Sequence, residues 1–231
     1  MNEPLLLLPG MMCDARLFQP QIAEFSQRQA VAFAPLFSSN SMTGLAKQVL
    51  ENAPPRFALA GLSMGGIVAM EMIRLAPDRI TRIALMDTNP LADPPEKSGI
   101  RRAQVANAKR GRLREIMRDE MKPNYLADGP SKARILALCM EMAESLGPEV
   151  FEAQSDAIQH RPDQCDTLKS VAVPALILCG EEDRLCPVSR HELMHELIPG
   201  SQLAVVPGAG HLPTLEQPEL TNSTLSEWLS A

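Results

Sequence analysis

One stretch constrains the fold of this chain more than any other: Phe57-Ala-Leu-Ala-Gly-Leu-Ser63-Met-Gly-Gly66, running into Ile67-Val-Ala-Met-Glu-Met-Ile-Arg-Leu-Ala76. The short apolar run predicts a buried strand. The Gly-x-Ser-x-Gly that follows predicts a sharp turn. The next segment is apolar on more than one side and is closed by Pro77, which predicts a buried helix. A strand that delivers a serine at a tight turn into a helix pushes the hydroxyl clear of the backbone, towards a base. Gly61 and Gly65 stand two residues either side of Ser63, where a β-carbon would collide with such a turn. Gly66 allows the helix to pack closely on the strand. The five-residue pattern alone is common, and the bland reading is a Gly-Ser turn. The flanking strand and helix are what give it weight.

The rest of the chain repeats this alternation. Leu5–Leu8 is an apolar run between Pro4 and Pro9, and reads as a buried strand. A loop, Pro9-Gly10-Met11-Met12-Cys13-Asp14, follows it. A short helix is expected over 16–28, a strand over 30–34 and a helix from Ser41 or Thr43 to Asn52, stopped by Pro54-Pro55. Ile80–Met86 reads as a strand ending in Asp87. Ala175–Gly180 and Gln202–Val206 read as strands, with helices over 189–198 and 217–229. Between them, residues 89–166 show helical segments (100–121, 131–145, 148–159) and no strand pattern. The expected fold is α/β: a mostly parallel sheet of about six strands with helices on both faces. Residues 1–88 and 167–231 are expected to form the core, and 89–166 an inserted helical layer. Ligands of such sheets bind at the carboxyl ends of the strands. Ser63, Asp87, Asp183 and His211 all fall there.

Composition narrows the function classes. Over 231 residues the net charge is −6, which speaks against a nucleic-acid binder. Five cysteines at scattered positions show no metal-ribbon spacing, and reduced thiols in a cytoplasmic protein are the natural reading. The amino-terminal stretch Met1–Gly10 lacks a basic segment and holds only four apolar residues before Pro9. It is too short for a signal peptide or a membrane span.

A serine nucleophile needs a base, an orienting carboxylate and donors for a developing oxyanion. His211 lies in Gly208-Ala-Gly-His211-Leu-Pro, a flexible loop after the last strand, and is the expected base. Asp183, in Gly180-Glu-Glu-Asp183-Arg-Leu-Cys-Pro, is the expected orienter. Asp87 competes for that role, and a turn or cap residue is the bland reading of either. The amide of Met64, next after the nucleophile, is one expected oxyanion donor. The other comes from the Gly10 loop, with Met11 the first choice and Met12 the second.

The turn at Ser63, the acid turn at Asp183, the base loop at His211 and the Leu5–Gly10 entry together resemble the α/β-hydrolase fold family. The resemblance covers essentially the whole chain, and residues 89–166 match that family's lid. Pro9-Gly10 stands where the family usually carries His-Gly. The family's first two strands have no counterpart, which implies a minimal sheet. The resemblance implies a carboxylesterase-type serine hydrolase acting on a small-molecule ester through an acyl-enzyme, with no cofactor or metal, as monomer or dimer. A C–C bond hydrolase, thioesterase, lactonase or lyase would use the same residues.

Two further features compete for attention. His191-Glu192-Leu-Met-His195 matches H-E-x-x-H, a zinc-protease signature that would need Glu196 or Glu216 as third ligand. The helix is short, and solvated side chains on an outer face are the expected role of both histidines. Residues 97–118 hold eight basic residues and one acid, while the rest of the chain holds 14 bases and 27 acids. The bland reading is a solvated helix face. The sharper one is that Arg101 and Arg102, with Met12 nearby, bind a negatively charged substrate or an acidic carrier protein.

Overall fold

The computed structural model describes residues 3–123 and 125–231, so Met1 and Asn2 of the amino-terminal stretch lie outside the described residues. Six strands form one sheet: β1 (Leu5–Leu8), β2 (Val31–Phe33), β3 (Phe57–Leu62), β4 (Ile80–Met86), β5 (Ala175–Gly180) and β6 (Gln202–Val206). Their order is β2-β1-β3-β4-β5-β6, and every pairing is parallel. The unbroken apolar runs follow from burial on both faces. In β1, Leu6 and Leu8 enter one core while Leu5 and Leu7 enter the other. In β3, Phe57 and Leu59 divide in the same way from Ala58, Ala60 and Leu62.

Helices α1 (Gln19–Phe25), α2 (Met42–Asn52) and α3 (Met64–Leu75) join the first four strands. α2 and α3 supply one core with Leu45, Val49, Val68 and Met72. The terminal helix Pro218–Ser230 closes the other through Leu225 and Trp228, against Phe25 of α1. Pro20 sits in the first turn of α1, where its missing N–H costs nothing. The expected helix over 16–28 is therefore a 3₁₀ turn, Ala15–Phe18, followed by the shorter α1.

Strand progression reverses between β1 and β3, which leaves a crevice at their carboxyl ends. The loop after β1 and the turn at Ser63 meet there. Above it lie the segments between β4 and β5, helical and without a strand among the described residues: α4 (Lys97–Asn107), irregular wide turns over Ala108–Met121, and the helix Lys132–Gln159. The single helix expected over 100–121 is broken because Gly111 takes φ 84°. Gly147 (φ 82°), followed by Pro148, bends Lys132–Gln159 at the expected boundary of two helices.

Candidate active site

The turn after β3 is held by sterics. Ser63 has φ 55°, a conformation that L-residues rarely adopt. A β-carbon on Gly65 would lie 2.1 Å from the carbonyl oxygen of Leu8. The Ser63 amide donates to Met86 O at 2.8 Å, and Thr88 Oγ1 donates to Ser63 O at 2.7 Å. The hydroxyl is left pointing over the sheet edge, 2.9 Å from His211 Nε2. His211 Nδ1 lies 2.8 Å from Asp183 Oδ2. Asp183 Oδ1 accepts the amides of Leu185 (2.8 Å) and Cys186 (3.0 Å). Burial would raise the Asp183 carboxyl, but His211 and these two amides outweigh it and hold it below its ordinary value. With Asp183 ionised, Nδ1 of His211 carries the ring proton, and Nε2 accepts from the Ser63 hydroxyl.

His211 is fixed from three sides. Its amide donates to Tyr125 O at 2.6 Å, and its ring meets the Tyr125 ring edge-on, with centroids 5.1 Å apart. Glu216 accepts the amides of Gly210 (3.0 Å), Leu212 (2.9 Å) and Ala127 (2.8 Å), and so braces the loop on both sides of the histidine. Asp87, the competing orienter, is fully buried at φ 45° and does not reach His211. Its Oδ1 accepts the Gly180 amide at 2.9 Å, and its Oδ2 meets no hydrogen-bond donor among the described residues. Burial first, and the neighbouring Asp183 charge second, push its carboxyl well above the ordinary value.

The loop after β1 corrects one expectation. The Met12 amide donates to Gln154 Oε1 at 2.8 Å, and Gln154 Nε2 donates to Leu36 O at 2.7 Å. Met12 is therefore not available as an oxyanion donor. Its side chain, 0% exposed, does not line the cavity either. Gln154, a buried polar residue on the Lys132–Gln159 helix, thus ties that helix to this loop. Met11 and Met64 both line a cavity of about 370 Å³ that opens on Ser63.

Arg101 lines that cavity and is bound to Asp93, with Nε–Oδ2 2.8 Å and Nη2–Oδ1 3.1 Å. Arg102, its neighbour, is exposed and lines no part of it, because adjacent helical positions face different directions. Arg161, which the sequence did not single out, lines the cavity instead.

The H-E-x-x-H segment also departs from expectation. His191 is 0% exposed, because the helix Val188–Leu197 turns this side chain inward against the sheet. Its Nε2 accepts the Thr88 amide at 3.1 Å, and its Nδ1 faces Pro187 O at 3.3 Å. Both ring nitrogens are engaged, and Glu216 is committed to its three amides, so the segment cannot gather a zinc ion. The donor atoms of Asp183, Cys186 and His211 do lie within 4.8 Å of one another. A metal there would displace the proton that His211 shares with Asp183.

A parallel sheet of this order, with a serine on a strained turn after its third strand and a histidine and an aspartate in hydrogen-bonded line with it, defines the α/β class of hydrolases. The chain belongs to the alpha/beta hydrolase family, whose model matches residues 5–224. It is similar to the malate-bound structure of a thermophilic esterase from Thermogutta terrifontis: 30% identity, TM-score 0.89, covering 99% of this chain and 89% of that one. It is similar in sequence to the pimeloyl-[acyl-carrier protein] methyl ester esterase of Pectobacterium carotovorum, at 25% identity over 94% of this chain and 91% of the relative. A putative 2-succinyl-6-hydroxy-2,4-cyclohexadiene-1-carboxylate synthase of Bacillus subtilis is 22% identical over 97% and 84%. Among the described residues, no helix is long and apolar enough to cross a membrane.

Proposed function

We propose that the protein is a serine hydrolase of carboxylic esters. Ser63 Oγ attacks the ester carbonyl while His211 Nε2 takes its proton. The proton then passes to the departing alcohol, leaving the acyl group on Ser63. Water, deprotonated by the same nitrogen, attacks that acyl group and restores the hydroxyl. Asp183 holds Nδ1–H in place and stabilises the imidazolium in both halves. Met11 and Met64 supply the amides for the oxyanion: neither amide has a protein acceptor among the described residues, and both residues line the cavity at Ser63. The observation that carries this reading is the unbroken line from Ser63 Oγ through His211 (2.9 Å) to Asp183 (2.8 Å) at the mouth of that cavity. The esterase relatives support the choice of ester over the lyase and C–C chemistries.

The test is turnover of p-nitrophenyl butyrate by the wild-type protein and by Ser63→Ala, with mass spectrometry of the protein after a fluorophosphonate. The expected result is a fall in kcat of about 10⁴-fold or more in the variant, with one adduct, on Ser63. Equal rates in the two proteins would overturn the assignment.

A further inference from the structure

We propose that Arg161 and Arg101, facing each other across Asp93, form a carboxylate-binding subsite in the cavity, and that the preferred esters carry a free carboxylate remote from the scissile bond. The word "ester" rests on the hydrolase reading above; the binding of a carboxylate does not.

The argument begins with a charge imbalance. The Asp93 side chain is 2% exposed and the Arg161 side chain 8%. Both oxygens of Asp93 are held by Arg101. Arg161 Nη1 stands 3.4 Å from Asp93 Oδ1, an ion-pair separation without a close hydrogen bond. One carboxylate thus faces two guanidinium groups, and one positive charge is left over where little water reaches it. Burial lowers the Arg161 pKa, the Arg101 charge adds to this, and Asp93 offsets only part.

The second observation is a set of unused donors. A guanidinium offers five N–H groups in a planar fork. Among the described residues only Nε of Arg161 has a close acceptor, Leu91 O at 2.8 Å, which fixes the plane of the group. Its Nη donors have no hydrogen-bond acceptor among the described residues, beyond the 3.4 Å ion pair to Asp93, and the residue lines the cavity. A fixed fork with free donors and an uncompensated charge matches a carboxylate better than any neutral group.

The third is the field around it. The remaining charged residues lining the cavity are Lys97, Arg184 and Glu120, and Glu120 accepts from Gln104 at 3.0 Å. Four cations therefore share the cavity with two carboxylates, in a chain whose net charge is −6. A positive cleft in a negative protein focuses its field on small anions. Arg102 points away from it. The recognised charge therefore belongs to the substrate itself rather than to an acidic protein docked outside.

The experiment compares esters of one chain length that differ only in charge: mono-p-nitrophenyl glutarate and its methyl-capped diester. In the wild-type protein kcat/KM is expected to favour the free acid by about tenfold or more. Arg161→Gln is expected to bring that ratio close to one, and Arg102→Gln to leave it at the wild-type value. A wild-type ratio near one, or a ratio that Arg161→Gln does not change, overturns the proposal. Turnover of the capped ester by Arg161→Gln shows that the variant is folded. Calorimetry with glutarate on Ser63→Ala separates this proposal from the hydrolase reading. Binding that weakens about tenfold on adding Arg161→Gln supports the subsite even if no ester is cleaved. No binding, or binding indifferent to Arg161, sinks it even if esters are.

Discussion

The strand edge that carries Ser63 and the helical stretch above it, residues 89–166, are built on opposite terms. At the edge, backbone fixes everything. Ser63 N–H is tied to Met86 O and Asp87 N–H to Leu178 O, at 2.8 and 2.9 Å, and both residues hold positive φ. In the helical stretch, Gly99, Gly111 and Gly129 have no atom within 4 Å of where a β-carbon would stand. Its ion pairs are largely exposed: Lys109–Glu152 has side chains 54% and 36% accessible, and Arg118–Asp119 60% and 55%. Water screens such pairs, so they contribute little to stability. The bonds that link the two regions include Gln154 to Met12, Glu216 to the Ala127 amide and His211 to Tyr125 O. The turn at Ser63 thus sits where close backbone contacts leave it little room to shift. Most of the helical stretch sits where substitutions are cheap, and its buried Asp93 cluster with Arg101 and Arg161 is the exception.

The largest expected difference lies within the edge itself, between its two buried aspartates. Asp183→Asn should lower kcat by about 10⁴, because the amide cannot hold His211 in the working tautomer. Asp87→Asn should cost only a few-fold. Its amide oxygen can keep the Gly180 N–H, and its NH₂ stands where the protonated acid has its O–H. The same variant has a signature in stability. Below the ordinary carboxyl value, Asp87 is protonated in both folded and unfolded chains. Above it the unfolded chain ionises while the buried group, raised by desolvation and then by Asp183, does not. Folding stability therefore falls as pH rises towards the raised value. Melting curves of Asp87→Asn should be flatter than wild type from about pH 4 upwards. Identical slopes would mean that Asp87 is ionised in the folded protein.

His191 provides the opposite pH dependence from the same side of the molecule. Desolvation by burial brings it down from 6.5 to about 4. Between those values the unfolded chain binds a proton that the folded one refuses. The stability is complete above 6.5 and is lost as pH falls to about 4. The loss amounts to about 3 kcal/mol. Urea unfolding of wild type and His191→Asn from pH 4 to 7 measures it, and the variant should lack this part of the acid slope.

Much of this was legible in the sequence, for physical reasons that differ by region. Strands buried on both faces must be apolar at every position, so Leu5–Leu8 and Ala175–Gly180 announce themselves. Because every strand is parallel, whatever follows a strand arrives at one edge, and Ser63, Asp183 and His211 could be placed together without coordinates. What stayed hidden depends on contacts distant in sequence. Gln154 meets Met12 across 142 positions, and no local pattern marks it beyond a polar residue on an apolar helix face. Arg101 and Arg102 are chemically identical in the sequence and separated in space only by the direction each takes from α4. His191 was misread because a helix lying on a sheet has an inner face, and the short segment Val188–Leu197 has no clean apolar stripe to show which residues occupy it.

A pair of glycines, one of them with the smallest expected effect, gives the most direct comparison of the two regions, because the same substitution can be made in each. Gly65→Ala places a β-carbon 2.1 Å from a backbone oxygen of β1, and neither atom belongs to a flexible side chain. The turn or the strand must move, at a cost of about 3 kcal/mol. Since the turn carries Ser63, kcat should fall with the stability. Gly99→Ala, in α4, meets nothing within 4 Å and only removes conformational freedom from the unfolded chain. It should stabilise the protein by about 0.5–1 kcal/mol, with kcat unchanged. Chemical denaturation and turnover of the same two variants decide the matter. If Gly65→Ala were tolerated as well as Gly99→Ala, the edge would be as yielding as the stretch above it, and the division of labour between them would not hold.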